Sequence, residues 1–172
     1  MHNSPPQPSP SGGGGGKIML KTQEEIIKIV REGQAEGKTF VVTNGCFDIL
    51  HVGHVRYLKK TKEFADNLII MLNSDKSVKA IKGPDRPINC EADRAEILSS
   101  LSCVDYVVLF DENSPAKLLE AIKPDVYTKG ADYTLETLPE RDIVIRNNIK
   151  VEFIDFVEGK STTNVIKKIN EK

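Results

Sequence analysis

The run TFVVTNGCFDILHVGH, Thr39 to His54, is the stretch on which the fold of this 172-residue chain turns. Phe40-Val41-Val42 is a short apolar run of strand type, and the residues from His51 onward open a helical pattern. A strand that passes straight into a helix leaves the helix N-terminus at the sheet edge, with unpaired backbone N–H groups and a positive dipole end. Gly45, just before it, lets the backbone come close to a ligand. His51 and His54 lie at i and i+3, which places both imidazoles on one helix face near that N-terminus. Such a seat suits a polyphosphate, and two imidazoles beside it can donate hydrogen bonds to phosphate oxygens as negative charge builds in a transition state. No covalent intermediate is required.

Outward from this stretch, short apolar segments alternate with amphipathic ones. Strands are expected near 39–43, 68–72, 105–109, 125–128 and 150–154, and helices near 52–64, 91–101, 115–122, 137–147 and 162–170. Upstream, Thr22 with Glu24 and Glu25 reads as an N-cap with an acidic first turn, and Ile26, Ile27, Ile29 and Val30 continue it as a helix closing between Gly33 and Gly37. The alternation predicts a single α/β domain with a mostly parallel sheet and helices on both faces. Ligands bind such sheets at the carboxyl ends of the strands, where the strand order switches, and the first predicted strand ends at Thr43. Three segments result: residues 1–16, a Gly, Pro and Ser tail whose composition predicts disorder; 17–38, an N-terminal helical segment; and 39–172, the functional domain.

Composition narrows the function classes. With 24 Lys+Arg against 25 Asp+Glu the formal charge is −1, so no long-range field gathers nucleic acid or an anionic membrane, and any anion is captured by a local cluster. No apolar run approaches the roughly 20 residues that span a bilayer, and no signal-peptide pattern opens the chain. Cys46, Cys90 and Cys103 are odd in number and lack metal-ligand spacing, so the expectation is a cytoplasmic protein without a cysteine metal site.

Further polar clusters fall between the predicted elements. NSDKSVKAIKGPDRPI, Asn73 to Ile88, carries Lys79, Lys82 and Arg86 around Gly83-Pro84 and reads as a loop, not a helix face. Charge runs of this kind are usually solvated surface. Arg94, in EADRAEILSSL, opens a helix and on its own reads as a surface ion-pair partner. TKGADY, Thr128 to Tyr133, follows a strand at the ligand edge; Gly130 permits close approach there, and Asp132 can accept hydrogen bonds from sugar or ribose hydroxyls. In EGKSTTN, Glu158 to Asn164, Ser161 or Thr162 would cap the following helix, a geometry that also offers N–H groups and hydroxyls to phosphate. Asp48 reads as a helix-entry cap sooner than a metal ligand, and Phe47 as a core residue.

NGCFD followed by HVGH resembles the HxGH signature of the cytidylyltransferase-like nucleotidyltransferases. With KGADY and GKSTTN, the region from about Thr39 to Lys172 is similar to the adenylyltransferase part of the ADP-heptose synthases. That resemblance implies a Rossmann-like domain that transfers AMP from ATP to D-glycero-β-D-manno-heptose 1-phosphate, releasing pyrophosphate. It implies that His51 and His54 stabilise the transition state with Lys82 as a catalytic cation. Asn44, Gly45, Cys46, Phe47, Gly53, Lys79, Arg94, Ser161 and Thr162 would hold the nucleotide, and Arg86, Lys129, Gly130, Asp132 and Tyr133 the sugar phosphate. Mg²⁺ would travel with ATP and need few protein ligands. Partners would be the two substrates and a separate heptose kinase, with homo-oligomerisation compatible. One departure stands out: where the wider family has RTEGIST, the arginine position is Phe156, as is usual in the heptose branch. The alternatives are a CTP-dependent transferase acting on glycerol 3-phosphate or ethanolamine phosphate, and a nucleotide-binding module without catalysis.

Overall fold

Successive residues of a strand face opposite sides of a sheet, and here both sides of the central strands are apolar. In the computed structural model, which describes residues 19–155 and 162–171, these are β2 (Phe40–Gly45), β3 (Asn67–Asn73) and β4 (Tyr106–Phe110). Phe40, Val42, Ile69, Met71, Val108 and Phe110 point into one buried cluster, whereas Val41, Leu68, Ile70, Leu72 and Val107 point into another. Each such side chain contributes about 1.5–3 kcal/mol when fully buried, so a two-sided sheet needs helices on both faces. Helices α1 (Gln23–Ala35), α5 (Ala116–Ile122) and α6 (Arg141–Arg146) supply Ile26, Val30, Leu118, Leu119, Ile122 and Val144 to the first cluster. Helices α2 (Val52–Lys62) and α4 (Glu91–Ser99) supply Leu58, Ala95 and Leu98 to the second.

Short strands β1 (Leu20–Lys21), β5 (Val126–Gly130) and β6 (Lys150–Ile154) complete a six-stranded sheet of order β1-β4-β3-β2-β5-β6, with every pairing parallel. The α/β reading is therefore correct, and among the described residues the sheet is wholly parallel. From β2 the chain steps to β3 and β4 on one side, then crosses to β5 and β6 on the other. The switch point lies between the carboxyl ends of β2 and β5, where a parallel sheet opens a crevice for ligands.

Two local features, β1 and a helix at Asp75–Lys82, depart from the sequence reading. β1 was not expected, because two residues carry too little pattern to be read as a strand; its pairing with Val107 and Val108 makes it one. α1 closes between Gly33 and Gly37 as expected, at Ala35, and Gly33 in its last turn leaves room for the Phe40 ring, whose Cζ would lie 2.5 Å from a Cβ there. Its start is as expected, a capping box in which the Glu25 N–H donates to Thr22 Oγ1 (3.1 Å) and the Thr22 N–H donates to Glu25 (2.8 Å). Finally, the stretch read as a cationic loop begins as helix α3 (Asp75–Lys82). Ser74 caps it by accepting from the Ser77 N–H at 3.2 Å, Val78 anchors it in the core, and Gly83 at φ 104° ends it. The last helix, α7, spans Thr162–Asn170. The tail 1–16 and the stretch from Phe156 to Ser161 lie outside the described residues.

Candidate active site

β2 delivers Asn44 and Gly45 to the switch point, and the chain then turns through Phe47, a non-glycine residue at φ 45°. The Phe47 ring is 8% exposed and covers Gly45, where a Cβ would come within 2.9 Å of it; Gly45 is thus required by the turn itself. The same ring stands 5.1 Å from His54. Phe47 is consequently both a core residue and part of the pocket wall.

His51 is the N-cap of α2, its Nδ1 accepting from the Gly53 N–H at 3.1 Å. An accepting Nδ1 places the ring proton of the neutral imidazole on Nε2. His54, one turn on, stacks on His51 with centroids 3.8 Å apart and planes inclined by 22°. Burial, reinforced by the neighbouring His51, pushes the His54 pKa down to about 4, and its Nδ1 is buried without a hydrogen-bond partner. At neutral pH His54 is therefore an uncharged donor.

A cavity of about 730 Å³ opens beside the pair, within the usual range of small-molecule sites. It takes in Asn44, Gly45, Cys46, Phe47, Gly53, Lys82, Arg86, Lys129, Gly130, Tyr133 and Thr162 together with both histidines. Most residues expected from the sequence are thus brought to one place. Burial pushes the Cys46 thiol pKa up, which leaves it a poor nucleophile. Thr162 Oγ1 donates to the Ile49 carbonyl at 3.3 Å, tying the start of α7 to the histidine loop.

Three expected residues are placed elsewhere. Lys79 is exposed on α3 and does not line the cavity. Asp132 is exposed beyond the end of β5 and is likewise absent from the wall. Arg94 is 1% exposed, and its guanidinium is consumed by the protein: it donates to the carbonyls of Cys46 (2.6 Å), Asn73 (2.8 Å) and Asn89 (3.0 Å) and pairs with Asp75 (2.8 Å). It positions the loops that form the site. Asp48 has the same kind of role, being neither a helix cap nor free for a metal. Its carboxylate accepts from Arg86 Nε (2.6 Å) and from the N–H groups of Ile88 (2.8 Å) and Asn89 (3.0 Å). Burial opposes its charge, yet the N–H groups of Asn89 and Ile88 and the Arg86 guanidinium outweigh that and hold its pKa below the usual carboxylate range.

Sequence reasoning missed another part of the wall. Ser114 and Pro115, after β4, and Pro139 and Glu140, before α6, close the cavity near Lys129. Tyr57 also lines it, its hydroxyl 2.9 Å from Thr43 Oγ1 and 3.3 Å from Thr128 Oγ1, which joins α2 to β2 and β5 across the switch point. The only available signal was position, since these loops follow or precede strand ends.

Residues 42–168 match the cytidylyltransferase-like family. The chain belongs to it. Among relatives, the "Bifunctional protein HldE" of Syntrophotalea carbinolica is 48% identical over 150 residues, covering 87% of this chain and 31% of that protein. The HldE of Geobacter metallireducens is 50% identical over 150 residues, with the same coverage. The chain thus spans less than a third of the length of these relatives. A solved structure, the lipopolysaccharide core biosynthesis protein of Thermoplasma volcanium, superposes with a TM-score of 0.58 at 30% identity, covering 72% of this chain and all of that one. This cytidylyltransferase-like chain therefore has the family's fold with its two histidines at the switch point. No helix among the described residues is long and apolar enough to cross a membrane.

Proposed function

We propose that the chain is a nucleotidyltransferase that moves AMP from ATP to D-glycero-β-D-manno-heptose 1-phosphate. The observation that carries the reading is the stacked pair His51 and His54 at the N-terminus of α2, in one cavity with Lys82 and Arg86. Family membership and the HldE relatives support it. A phosphate oxygen of the sugar phosphate attacks the α-phosphorus of ATP and forms a new P–O bond. The bond from that phosphorus to the β-phosphate bridging oxygen breaks, and pyrophosphate carries off the charge. Because both reactants are anions, positioning and charge stabilisation supply most of the acceleration. Uncharged imidazoles donate to phosphate oxygens without adding a proton to the reaction, while Lys82 offsets the triphosphate charge and Arg86 that of the sugar phosphate.

Among the described residues, no group of three His, Cys, Asp or Glu side chains is arranged to hold a metal, and Asp48 is engaged by Arg86 and two N–H groups. That donor set suits a divalent ion held chiefly by triphosphate oxygens, Mg²⁺ in our reading. When bound, it would neutralise charge on the departing phosphates. A sugar kinase must supply the 1-phosphate, and three free cysteines suit a reducing cytoplasm. The test is pyrophosphate release from ATP or CTP offered with heptose 1-phosphate, glycerol 3-phosphate or ethanolamine phosphate. Turnover is expected for ATP with the heptose. Turnover confined to CTP, or none with any pair, would reject the reading.

A further inference from the structure

Lys129, which the resemblance assigns to the sugar phosphate, forms a buried ion pair in the cavity wall with Glu140, a residue the chemistry above leaves without a role. Glu140 is 2% exposed, and its Oε1 accepts from Ser114 Oγ at 3.3 Å. Its Oε2 is buried and accepts no hydrogen bond: Lys129 Nζ stands 3.7 Å away, too far to provide one, and the nearby Tyr127 hydroxyl donates to Asn44 Oδ1 at 2.7 Å instead. Lys129 Nζ is steered by the rings of Tyr127 and Tyr133, at 5.6 and 5.3 Å. A buried carboxylate oxygen without a donor is costly, and at a cavity wall a ligand group that donates to it offsets that cost. The group that fits must donate to Oε2 and accept from Nζ. A hydroxyl does both. Phosphate only accepts and is repelled by Glu140, and an ammonium group is repelled by Lys129.

We propose that Glu140 and Lys129 together hold one hydroxyl of the sugar acceptor, Glu140 accepting and Lys129 donating, and so make this corner a polyol-reading subsite. The proposal rests on the sugar phosphate reading above. It also moves hydroxyl recognition from Asp132, which lies outside the cavity, to a carboxylate that lines it.

The test compares wild type with Glu140→Gln, using D-glycero-β-D-manno-heptose 1-phosphate and its monodeoxy analogues and measuring pyrophosphate release, with ATP binding titrated separately. Glu140→Gln should raise KM for the parent sugar phosphate about 10- to 100-fold and leave ATP affinity unchanged. Wild type should lose a similar factor with one deoxy analogue, and Glu140→Gln should treat that analogue and the parent alike. If wild type fails to use the parent compound, the function reading falls and the proposal with it. If wild type is active and Glu140→Gln keeps its KM and its discrimination, the proposal alone is overturned. A loss confined to ATP affinity would assign the pair to ribose and overturn it equally. Should Glu140→Gln melt without a cooperative transition, Lys129→Met is taken through the same panel: lost discrimination at one hydroxyl supports the proposal, and retained discrimination rejects it.

Discussion

His54 shows how an ordinary residue type acquires its chemistry from its surroundings. An exposed imidazole with a pKa near 6.5 would be a mixture of charged and neutral forms at neutral pH. Burial and the His51 ring hold His54 near 4, so one donor form predominates. Replacing His54 by Ala should lower kcat by on the order of 10²–10³ while the protein remains folded, as steady-state kinetics on a variant with a normal melting curve would check. The same residue predicts a pH dependence of stability. Between pH 4 and 6.5 the unfolded chain holds a proton on this histidine that the folded one lacks, so stability rises with pH across that window. Its contribution is complete above pH 6.5 and is lost as pH falls toward 4. Melting temperatures of wild type measured across this range should slope upward more steeply than those of His54→Asn, and parallel slopes would remove His54 as the source.

Distant contacts shape the segment from Gly83 to Cys90, between α3 and α4. Asp48 fastens it to the histidine loop through Arg86, Ile88 and Asn89, while Arg94 fastens the β2 and β3 ends to the same place. Both side chains are buried charges whose partners would be stranded by their removal. Asp48→Ala should therefore destabilise the fold by about 3–5 kcal/mol, measured by denaturant unfolding. Arg94→Lys keeps the charge but cannot reach the same four acceptors, and should cost about 2–4 kcal/mol with KM for ATP nearly unchanged in the folded fraction. A variant of normal stability with a raised KM for ATP would instead return Arg94 to phosphate binding. Helix α3 illustrates how an element hides in composition: Lys76, Lys79 and Lys82 dominate the eye, whereas Ser74 as cap and Val78 as buried anchor decide its structure. One consequence is that Lys79 and Lys82, three apart on that helix, fare differently, only Lys82 facing the cavity.

At the scale of the whole molecule, the edge strand β1 gives the N-terminal region a part in the sheet. A chain starting at residue 17 keeps Leu20–Lys21 paired with β4 and the Thr22 cap of α1, so loss of 1–16 should leave the melting temperature within about a degree and activity intact. A chain starting at Gln23 loses both and should melt several degrees lower; equal melting of the two truncations would show that β1 contributes nothing. Much of this architecture is legible locally. Apolar runs such as Phe40-Val41-Val42 and Leu68 to Leu72 report strands buried on both faces, and the i, i+3 histidines report a site, because periodicity and spacing are properties of neighbouring residues. What chain-local pattern could not report is which charged residue serves the ligand and which serves the fold. Arg94 and Arg86 are alike in sequence, as are Asp132 and Glu140. The difference lies in acceptors and donors brought within about 3–4 Å by segments 19 to 48 residues away, as with Asp75 and Cys46 around Arg94. Short-range pattern was enough for the α/β class, for the order of the strands other than β1 and the helices other than α3, and for the histidine pair. Only the tertiary structure decided that Arg94 and Asp48 are internal fasteners and that Glu140 lines the cavity, because burial and hydrogen-bond satisfaction exist only once distant segments meet.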